Sequence, residues 1–373
     1  MAGIYIHIPF CKQACSYCNF HFSTSLNRKA DLLNAIRQEA KLQQHYLAGE
    51  KVDTIYFGGG TPSLLEEKEI QELLEQLYQT VEVSEEVELT LEANPDDLTK
   101  AKLKSLKSSG INRISIGVQS FQQKDLDFFN RSHNAQQAID SIKRSQDNGF
   151  ENLNIDLIFG AQTTTDQMWE ANLGRFFSLN VPHLSSYSLT IEEKTALAHN
   201  INTGKSERLD EDKNYRHYLS LQNAIKAHDY QQYELSNYCK GDRISKHNTS
   251  YWFGKKYLGL GPSAHSYNGK SRQWNVANNI QYIKALQNQQ FFYEKEELSE
   301  LDLYHEYLLT RLRTKWGIQF SDFASNFSVK TQEHFFSRIK KLNPKSIIKT
   351  ESSLRLPTNG LFRSDEVVRE LMC

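Results

Sequence analysis

The chain is sparing with several residue types and patterns, and each scarcity excludes something. It holds five cysteines, seven prolines, four tryptophans and three methionines in 373 residues. Its 44 basic and 45 acidic residues leave a formal net charge of −1, with both signs scattered along the chain. A polybasic nucleic-acid surface and an acidic tail are thereby excluded. No apolar run approaches the roughly 20 residues of a membrane-spanning helix. The N-terminal apolar stretch is too short for the h-region of a secretory signal. An apolar share of 39% and a mean hydropathy of −0.61 are those of a soluble protein, expected in the cytoplasm. No low-complexity linker interrupts the chain, so its modules are expected to pack together. The length suffices for one large barrel or for two to three ordinary domains.

Three of the five cysteines share one short loop. Cys11, Cys15 and Cys18 are spaced C-x-x-x-C-x-x-C, directly after the apolar run Ile4-Tyr5-Ile6-His7-Ile8-Pro9-Phe10. In a [4Fe-4S] cluster, three thiolates ligate three irons and leave the fourth open to a substrate or cofactor. A cluster that only carries electrons normally takes four cysteines. The open iron points to S-adenosylmethionine (SAM), chelated through its amino and carboxylate groups. A zinc site would need a fourth protein ligand, His7 or His21. A disulfide is disfavoured by the odd count and by the absence of a secretory signal. Cys239 and Cys373 stand alone and are expected to be unpaired thiols; a cysteine in last position is not a prenylation box.

From residue 1 to about 235, short apolar runs alternate with longer amphipathic stretches, the pattern of repeated βα units around a parallel sheet. Strands are expected at Ile4–Ile8, Thr54–Phe57, Val87–Glu92, Arg113–Val118, Leu153–Ile158 and Leu184–Leu189. Helices are expected near Leu32–Tyr46, Lys68–Tyr78, Thr99–Ser108, Ala135–Asn148 and Gln167–Leu179. Thr99 and Asp166 read as N-caps, Gly110 and Gly149 as helix stops. Six units fall short of the eight that close a TIM barrel, so the expected fold is α/β, a partial (β/α)6 TIM-like barrel over residues 1–235. Residues 236–290, rich in Tyr, Trp, Asn, His and Gly, read as a connecting segment of loop and short strand. Residues 291–373 read as a smaller α-rich C-terminal domain. Its expected helices are Tyr304–Thr314, Phe335–Leu342 and Asp365–Leu371, with a hairpin through Ser352–Pro357 and the turn Thr358-Asn359-Gly360.

Parallel barrels place their chemistry at the C-terminal ends of the strands. There stand the cysteine loop, Gly58-Gly59-Gly60-Thr61-Pro62, Glu92 before Ala93-Asn94-Pro95, Gln119-Ser120, and Asp156 in Asn154-Ile155-Asp156-Leu157. The glycines can bring backbone amides and carbonyls close to a ligand, although a glycine cluster at a βα turn is about as often a tight turn. Beside the cysteine loop, that turn and the open iron would hold the same methionyl group. Arg131 is suited to the cofactor carboxylate through a bidentate fork, or is a surface arginine. Asp156, flanked by apolar residues, needs hydrogen-bond donors, which ribose hydroxyls would supply. Tyr5 and His7 are expected on opposite faces of their strand, one toward the barrel interior.

With these residues in view, the chain resembles radical-SAM enzymes of the oxygen-independent coproporphyrinogen oxidase family. The matching motifs are Tyr5-Ile6-His7-Ile8-Pro9-Phe10-Cys11, Cys15, Cys18, Phe57-Gly58-Gly59-Gly60-Thr61-Pro62, Glu92, Gly117-Val118-Gln119-Ser120, Arg131 and Asn154-Ile155-Asp156-Leu157, in the family's order along nearly the whole chain. Two features resemble the heme-chaperone branch more than the oxidases. The oxidases carry a fourth cysteine two residues after the third, where this chain has Phe20, and His247-Asn248-Thr249-Ser250-Tyr251-Trp252 matches the chaperones' H-N-x-x-Y-W. The resemblance implies that Cys11, Cys15 and Cys18 hold a [4Fe-4S] cluster. It further implies that Tyr5, Tyr17, Gly59, Gly60, Thr61, Glu92, Gln119, Arg131 and Asp156 line the SAM site, and that His247 is the leading heme ligand, with His7 and His265 as competitors.

A neutral imidazole is a suitable axial ligand, and Tyr251 and Trp252 are suited to pack on a macrocycle, although the same segment also reads as a buried hydrogen-bonded turn. The implied activity is binding of heme and its transfer to an acceptor protein, with an electron donor serving the cluster; no catalytic residue is assigned. Radical oxidative decarboxylation of coproporphyrinogen III is the alternative, and a cluster and SAM that only gate heme transfer are a third. One departure stands out: after Gly160 the family continues with Leu-Pro and a Gln, whereas this chain reads Ala161-Gln162-Thr163-Thr164-Thr165.

Overall fold

The computed structural model describes residues 2–290 and 293–372, which leaves Cys373 outside the described residues. The six apolar runs form strands β1 (Ala2–Ile8), β2 (Val52–Gly59), β3 (Val83–Ala93), β4 (Arg113–Gln119), β5 (Leu153–Phe159) and β6 (His183–Ser188). They lie parallel and in sequence order. Amphipathic stretches between them form helices α1 (Lys29–Leu42), α2 (Glu67–Thr80), α3 (Lys100–Ser108), α4 (Gln123–Phe128), α5 (Ala135–Asp147) and α6 (Asp166–Ser178). This is the partial (β/α)6 barrel expected. Ile4, Ile6 and Ile8 are fully buried on one face of β1, in one apolar core with Leu32 and Ile36 of α1 and Leu73 and Leu77 of α2. Burying each such side chain contributes roughly 1.5–3 kcal/mol.

Local chemistry explains the ends of these helices. Thr99 caps α3, its side chain accepting from the Lys102 amide, and Gly110 and Gly149 follow α3 and α5 with φ of 87° and 78°, conformations that favour glycine. The cap of α6 is Thr165 and not Asp166: the Thr165 hydroxyl accepts from the Met168 amide. Asp166 instead occupies the first turn, where a carboxylate complements the helix dipole.

After α7 (Ala196–Asn202) and α8 (Glu211–Ala227), the chain adds β7 (Tyr230–Gln232) and β8 (Asn237–Lys240), with β8 antiparallel to β6. Helix α9 (Lys246–Trp252) then leads to β9 (Tyr257–Leu260), β10 (His265–Tyr267), β11 (Ser271–Asn275), α10 (Asn279–Gln287) and β12 (Tyr293–Glu297). Strand β9 pairs parallel to β1, and β10 to β12 continue the sheet antiparallel, giving one twelve-stranded sheet. Residues 236–290 are therefore no bare connector: β9 to β11 extend the barrel sheet beyond β1, β8 flanks β6 at its other end, and the His247 motif is a capped helix turn, not a loop. These strands are too short and too polar to show a period-2 signal, which is why sequence pattern alone reads them as loop.

The C-terminal unit has its own core. Helices α11 (Glu300–Arg311), α12 (Phe320–Asn326), α13 (Val329–Ile339) and α14 (Ser364–Leu371) accompany the short strands β13 (Ile318–Gln319), β14 (Ile348–Lys349) and β15 (Ser353–Arg355). Phe323 and Phe335 meet at 4.2 Å between ring centroids in the middle of that core. No helix among the described residues is long and apolar enough to cross a membrane.

One buried carboxylate stitches the extension to the barrel. Glu39 lies on α1, where its charge suggests a solvated position, yet it is fully buried. It accepts from the Gly261 amide at 2.8 Å, Asn275 Nδ2 at 2.6 Å and the Tyr282 hydroxyl at 2.5 Å. Burial pushes its carboxyl up to about 7 against these bonds. Glu39→Ala leaves three buried donors without an acceptor and is expected to cost about 3 kcal/mol or more. The check is the urea midpoint of the cofactor-free protein, and an unchanged midpoint would refute this role for Glu39.

Candidate functional site

At the C-terminal end of β1 the chain enters the cysteine loop, and at the end of β2 it enters the glycine turn. The two are bonded through backbone: the Gly60 amide donates to the Ile8 carbonyl at 2.9 Å and the Thr61 amide to the Phe10 carbonyl at 2.6 Å. A Cβ on Gly60 would stand 2.6 Å from the Phe10 carbonyl oxygen, and one on Gly59, whose φ is 104°, would stand 2.5 Å from the His7 ring. The glycines are thus required first for the close approach of β2 to β1.

The cysteine loop is tied down on its other side. The Ser16 amide donates to the Phe129 carbonyl at 3.0 Å and the Ser16 hydroxyl to the Phe128 carbonyl at 2.9 Å, while Asn130 Nδ2 donates to the Ala14 carbonyl at 2.8 Å. Lys12 forms ion pairs with Asp96 and Asp97 beyond β3. These ties bring Arg131 to the loop, where its Nη1 donates to Cys15 Sγ at 3.1 Å. Its Nη2 donates to Asn94 Oδ1 at 2.6 Å and the Gly117 carbonyl at 2.8 Å, and its Nε is buried with no partner. Arg131 is therefore no surface arginine. Its guanidinium stands against a cysteine sulfur with one donor unspent, instead of presenting an open fork.

Cys11, Cys15 and Cys18 are free, partly buried thiols. Burial pushes Cys11 up to about 11, with the neighbouring cysteines adding to the rise and a hydrogen bond with Thr61 opposing it. Among the described residues no three His, Cys, Asp or Glu side chains converge on one point as a single metal ion requires. A cubane makes a different demand, one thiolate for each of three separate irons. Cys239 is a buried free thiol in β8.

Toward the barrel interior two acids face each other. Glu92 accepts from the Tyr56 hydroxyl at 2.8 Å and the Gly59 amide at 3.2 Å. Burial and then the charge of Asp156 raise its carboxyl to about 7. Asp156 is raised by burial, and its donors come from the protein: Asn154 Nδ2 at 2.7 Å and the Ser115 hydroxyl at 3.4 Å. The donors expected from ribose hydroxyls are thus supplied by its own strand and by β4. Gln119 ends β4 with a φ of 65°, a strained conformation for a residue with a side chain. The Tyr17 ring packs edge-on against Phe129 at 5.2 Å.

One expectation fails on geometry. Residues two apart on a strand share a face, and the Tyr5 hydroxyl meets His7 Nδ1 at 3.2 Å, so both point inward. His247 points into the N-terminal end of the barrel and is not aimed at an open cleft. Its Nδ1 bonds the Thr54 hydroxyl at 2.8 Å and its Nε2 the Tyr251 hydroxyl at 2.8 Å. The ring stacks on Tyr56 at 4.9 Å, and burial, then Arg113, lower its pKa to about 3. Both ring nitrogens are thus engaged by hydroxyls in the chain as folded. Glu88, which caps α9 by accepting the Lys246 and His247 amides at 3.1 and 3.0 Å, fixes this placement. Glu88 and the buried Arg113 escaped the sequence reading, because nothing in the surrounding pattern separates them from solvated strand residues.

Between the cysteine loop, β10–β11 and α11 lies a cleft of about 870 Å3, with Tyr5, Phe20, His21 and Tyr251 among its lining. Phe20 is 66% exposed.

Comparison with known proteins gives the geometry a context. Residues 5–174 match the Radical SAM superfamily. The chain is 33% identical over 371 residues to the heme chaperone HemW of Bacillus subtilis (strain 168), covering 98% of each chain. It is 31% identical over 370 residues to the heme chaperone HemW of Lactococcus lactis subsp. lactis, covering 99% of this chain and 96% of that one. Its fold superposes on coproporphyrinogen III oxidase (HemN) from Escherichia coli with a TM-score of 0.85 at 21% identity, over 99% of this chain and 89% of that one.

The Glu92 carboxyl titrates at about 7 in the fold against an ordinary value of 4.5. A raised acid binds its proton more tightly in the folded state, so the stability it contributes is complete below about pH 4.5 and is lost as pH rises through about 7. The loss amounts to about 3 kcal/mol at most. Glu92→Gln is expected to flatten the fall of the thermal midpoint between about pH 5 and pH 8; equal slopes in the two proteins would sink the assignment.

Proposed function

The chain belongs to the HemW family of radical-SAM proteins, and from that premise we propose that it is a heme chaperone, taking up heme as cargo and handing it to an acceptor protein. The observation that carries the reading is the likeness to heme chaperones along 98% of both chains. Phe20, standing where the oxidases of the wider family have a further cysteine, supports the same choice. A partly exposed aromatic ring at the mouth of a cleft offers a surface for a flat macrocycle. The proposed working compartment is the cytoplasm, where clustered thiols stay reduced.

We assign the [4Fe-4S] cluster to Cys11, Cys15 and Cys18, and SAM to Tyr5, Tyr17, Gly59, Gly60, Thr61, Glu92, Gln119, Arg131 and Asp156. The donor set fits both groups: three free thiols in one anchored loop, a buried Arg131 Nε without a partner, and two interior carboxyls. When bound, the cluster and SAM supply one-electron chemistry at the open iron. The chain's own part is positioning. Lys12, Ser16 and Asn130 hold the loop. Arg131 donates to Cys15 sulfur and so fixes that side chain's place in the loop. The glycine turn presses backbone against the loop.

Cys15→Ser is expected to abolish cluster incorporation on anaerobic reconstitution, read as iron and acid-labile sulfide per chain; full retention of both would overturn the cluster assignment. The function itself is tested by optical titration of the reconstituted wild-type protein with heme, run beside an assay with coproporphyrinogen III, SAM and reductant. Stoichiometric heme binding without protoporphyrinogen is the expected outcome. Turnover without tight heme binding would make the protein an oxidase that manages without the further cysteine.

A further inference from the structure

Arg113 opens β4 and lies inside the barrel, 1% exposed. Its Nε and Nη2 are buried with no hydrogen-bond partner, and it forms no ion pair among the described residues. A guanidinium keeps its charge in a protein, and burying that charge alone is costly. Thr90, its register partner on β3, is also fully buried with a hydroxyl that has no partner. Residues two apart on a strand share a face, so Arg113 points inward with Ser115, and Thr90 with Glu92. Ser115 in turn bonds Asp156. A rise of about 3.3 Å per residue sets the Arg113 Cα about 7 Å below that of Ser115, on the side of the two acids away from the cysteine loop.

Neighbouring charged groups are already engaged. Glu88, two residues before Thr90, accepts the Lys246 and His247 amides, and Glu234 accepts the Ser236 amide and Asn237 Nδ2. Arg131 is bonded to Cys15, Asn94 and Gly117 at the rim. His183 and His247 lie within reach of the Arg113 charge; burial, then that charge, lower both, so they stay neutral. The phenols of Tyr5, Tyr17, Tyr56, Tyr187 and Tyr251 stand around the two acids and are raised by burial, as is the Cys18 thiol. These imidazoles, phenols and the thiol do not change charge near pH 7, which leaves Glu92 and Asp156 as the groups whose ionisation Arg113 can bias.

We infer that Arg113 is a positioning residue, the counter-charge that favours the hydrogen-bond-accepting carboxylate form of Glu92 and Asp156 for SAM, an inference that rests on the assignment of SAM to these two acids. Arg113 acts through the acids and has no need to touch the cofactor. Its charge opposes the burial that raises both carboxyls. A carboxylate accepts at both oxygens, whereas a protonated carboxyl turns one of them into a donor. Because the acids lie between Arg113 and the rim, its charge acts on them more strongly than on a cation arriving at the rim.

The test uses the full-length protein in two states. In the cofactor-free protein, the thermal midpoint of Arg113→Gln is followed against pH beside the wild type. Loss of the charge raises the folded Glu92 carboxyl still further above its ordinary 4.5. The fall of the midpoint that the wild type shows through about pH 7 is therefore expected to move up by about one pH unit, which is about tenfold tighter proton binding. In protein reconstituted anaerobically with its cluster, equilibrium dialysis of labelled SAM is expected to show about tenfold weaker binding by Arg113→Gln at pH 7, a loss that recovers by about pH 9. Arg113→Lys keeps the charge and is expected to follow the wild type in both measurements. An unmoved midpoint profile in Arg113→Gln, or a SAM defect equal at every pH, would overturn the inference and leave the SAM assignment standing. A shifted profile in Arg113→Lys would overturn it as well, which keeps the question decidable if Arg113→Gln does not fold. Absence of SAM binding by the wild-type protein would overturn the SAM assignment, and this inference with it.

Discussion

Everything at the rim of this barrel depends on a backbone contact between the ends of two neighbouring strands. The Gly60 and Thr61 amides donate to the Ile8 and Phe10 carbonyls, and no Cβ fits at Gly60. The cysteine loop begins one residue after Phe10, so its first thiol is placed by main-chain geometry and not by a flexible side chain. Glu92 reaches the same turn through the Gly59 amide, and Thr61 reaches Cys11. A side chain at Gly60 would push β2 away from β1 and shift all of these groups together. Backbone contacts of this kind hold a site to a few tenths of an ångström, the tolerance that reacting groups demand.

The second constraint is charge inside a low-dielectric barrel. Burial raises both Glu92 and Asp156, and the nearby charge of Asp156 adds to the resistance of Glu92 to ionisation. Their hydrogen bonds from Tyr56, Gly59, Asn154 and Ser115, with Arg113 nearby, offset part of that cost. The interior is thus polar and held together by hydrogen bonds where a simple fold would be apolar. Such polar interiors are retained where a ligand must be recognised, because apolar packing would be the more stable choice. On the opposite side, Glu39 plays the plainly structural role that the same residue type can take, its carboxylate tying α1 to the strand extension.

The histidine motif shows how far a sequence pattern can be followed. His247 and Tyr251 are four residues apart, and on α9 this spacing brings their polar atoms to 2.8 Å. The pattern marks a contact correctly. It cannot say that the contact spends the very nitrogen a metal would need, because Thr54 and Tyr56, which complete the burial of the ring, lie nearly two hundred positions away in the chain. His265 carries no motif at all, and its place in the cleft with Trp274 stacked on it is a property of packing alone.

The sequence by itself determined what local periodicity and short-range chemistry can specify. The six strand positions, the α3 cap at Thr99, the glycine stops and the three-cysteine loop all rest on interactions within a few residues. Even the number of units short of a closed barrel was countable from apolar runs. Only the tertiary structure decided what stands beside what: Arg131 against Cys15, Glu39 beneath Gly261, residues 257–275 within the same sheet, and His247 between Thr54 and Tyr251. The physical reason is that burial and hydrogen-bond satisfaction are set by groups distant in sequence. A side chain's chemistry is written at its position, but whether that chemistry is free or already spent depends on which distant partners the fold brings to it.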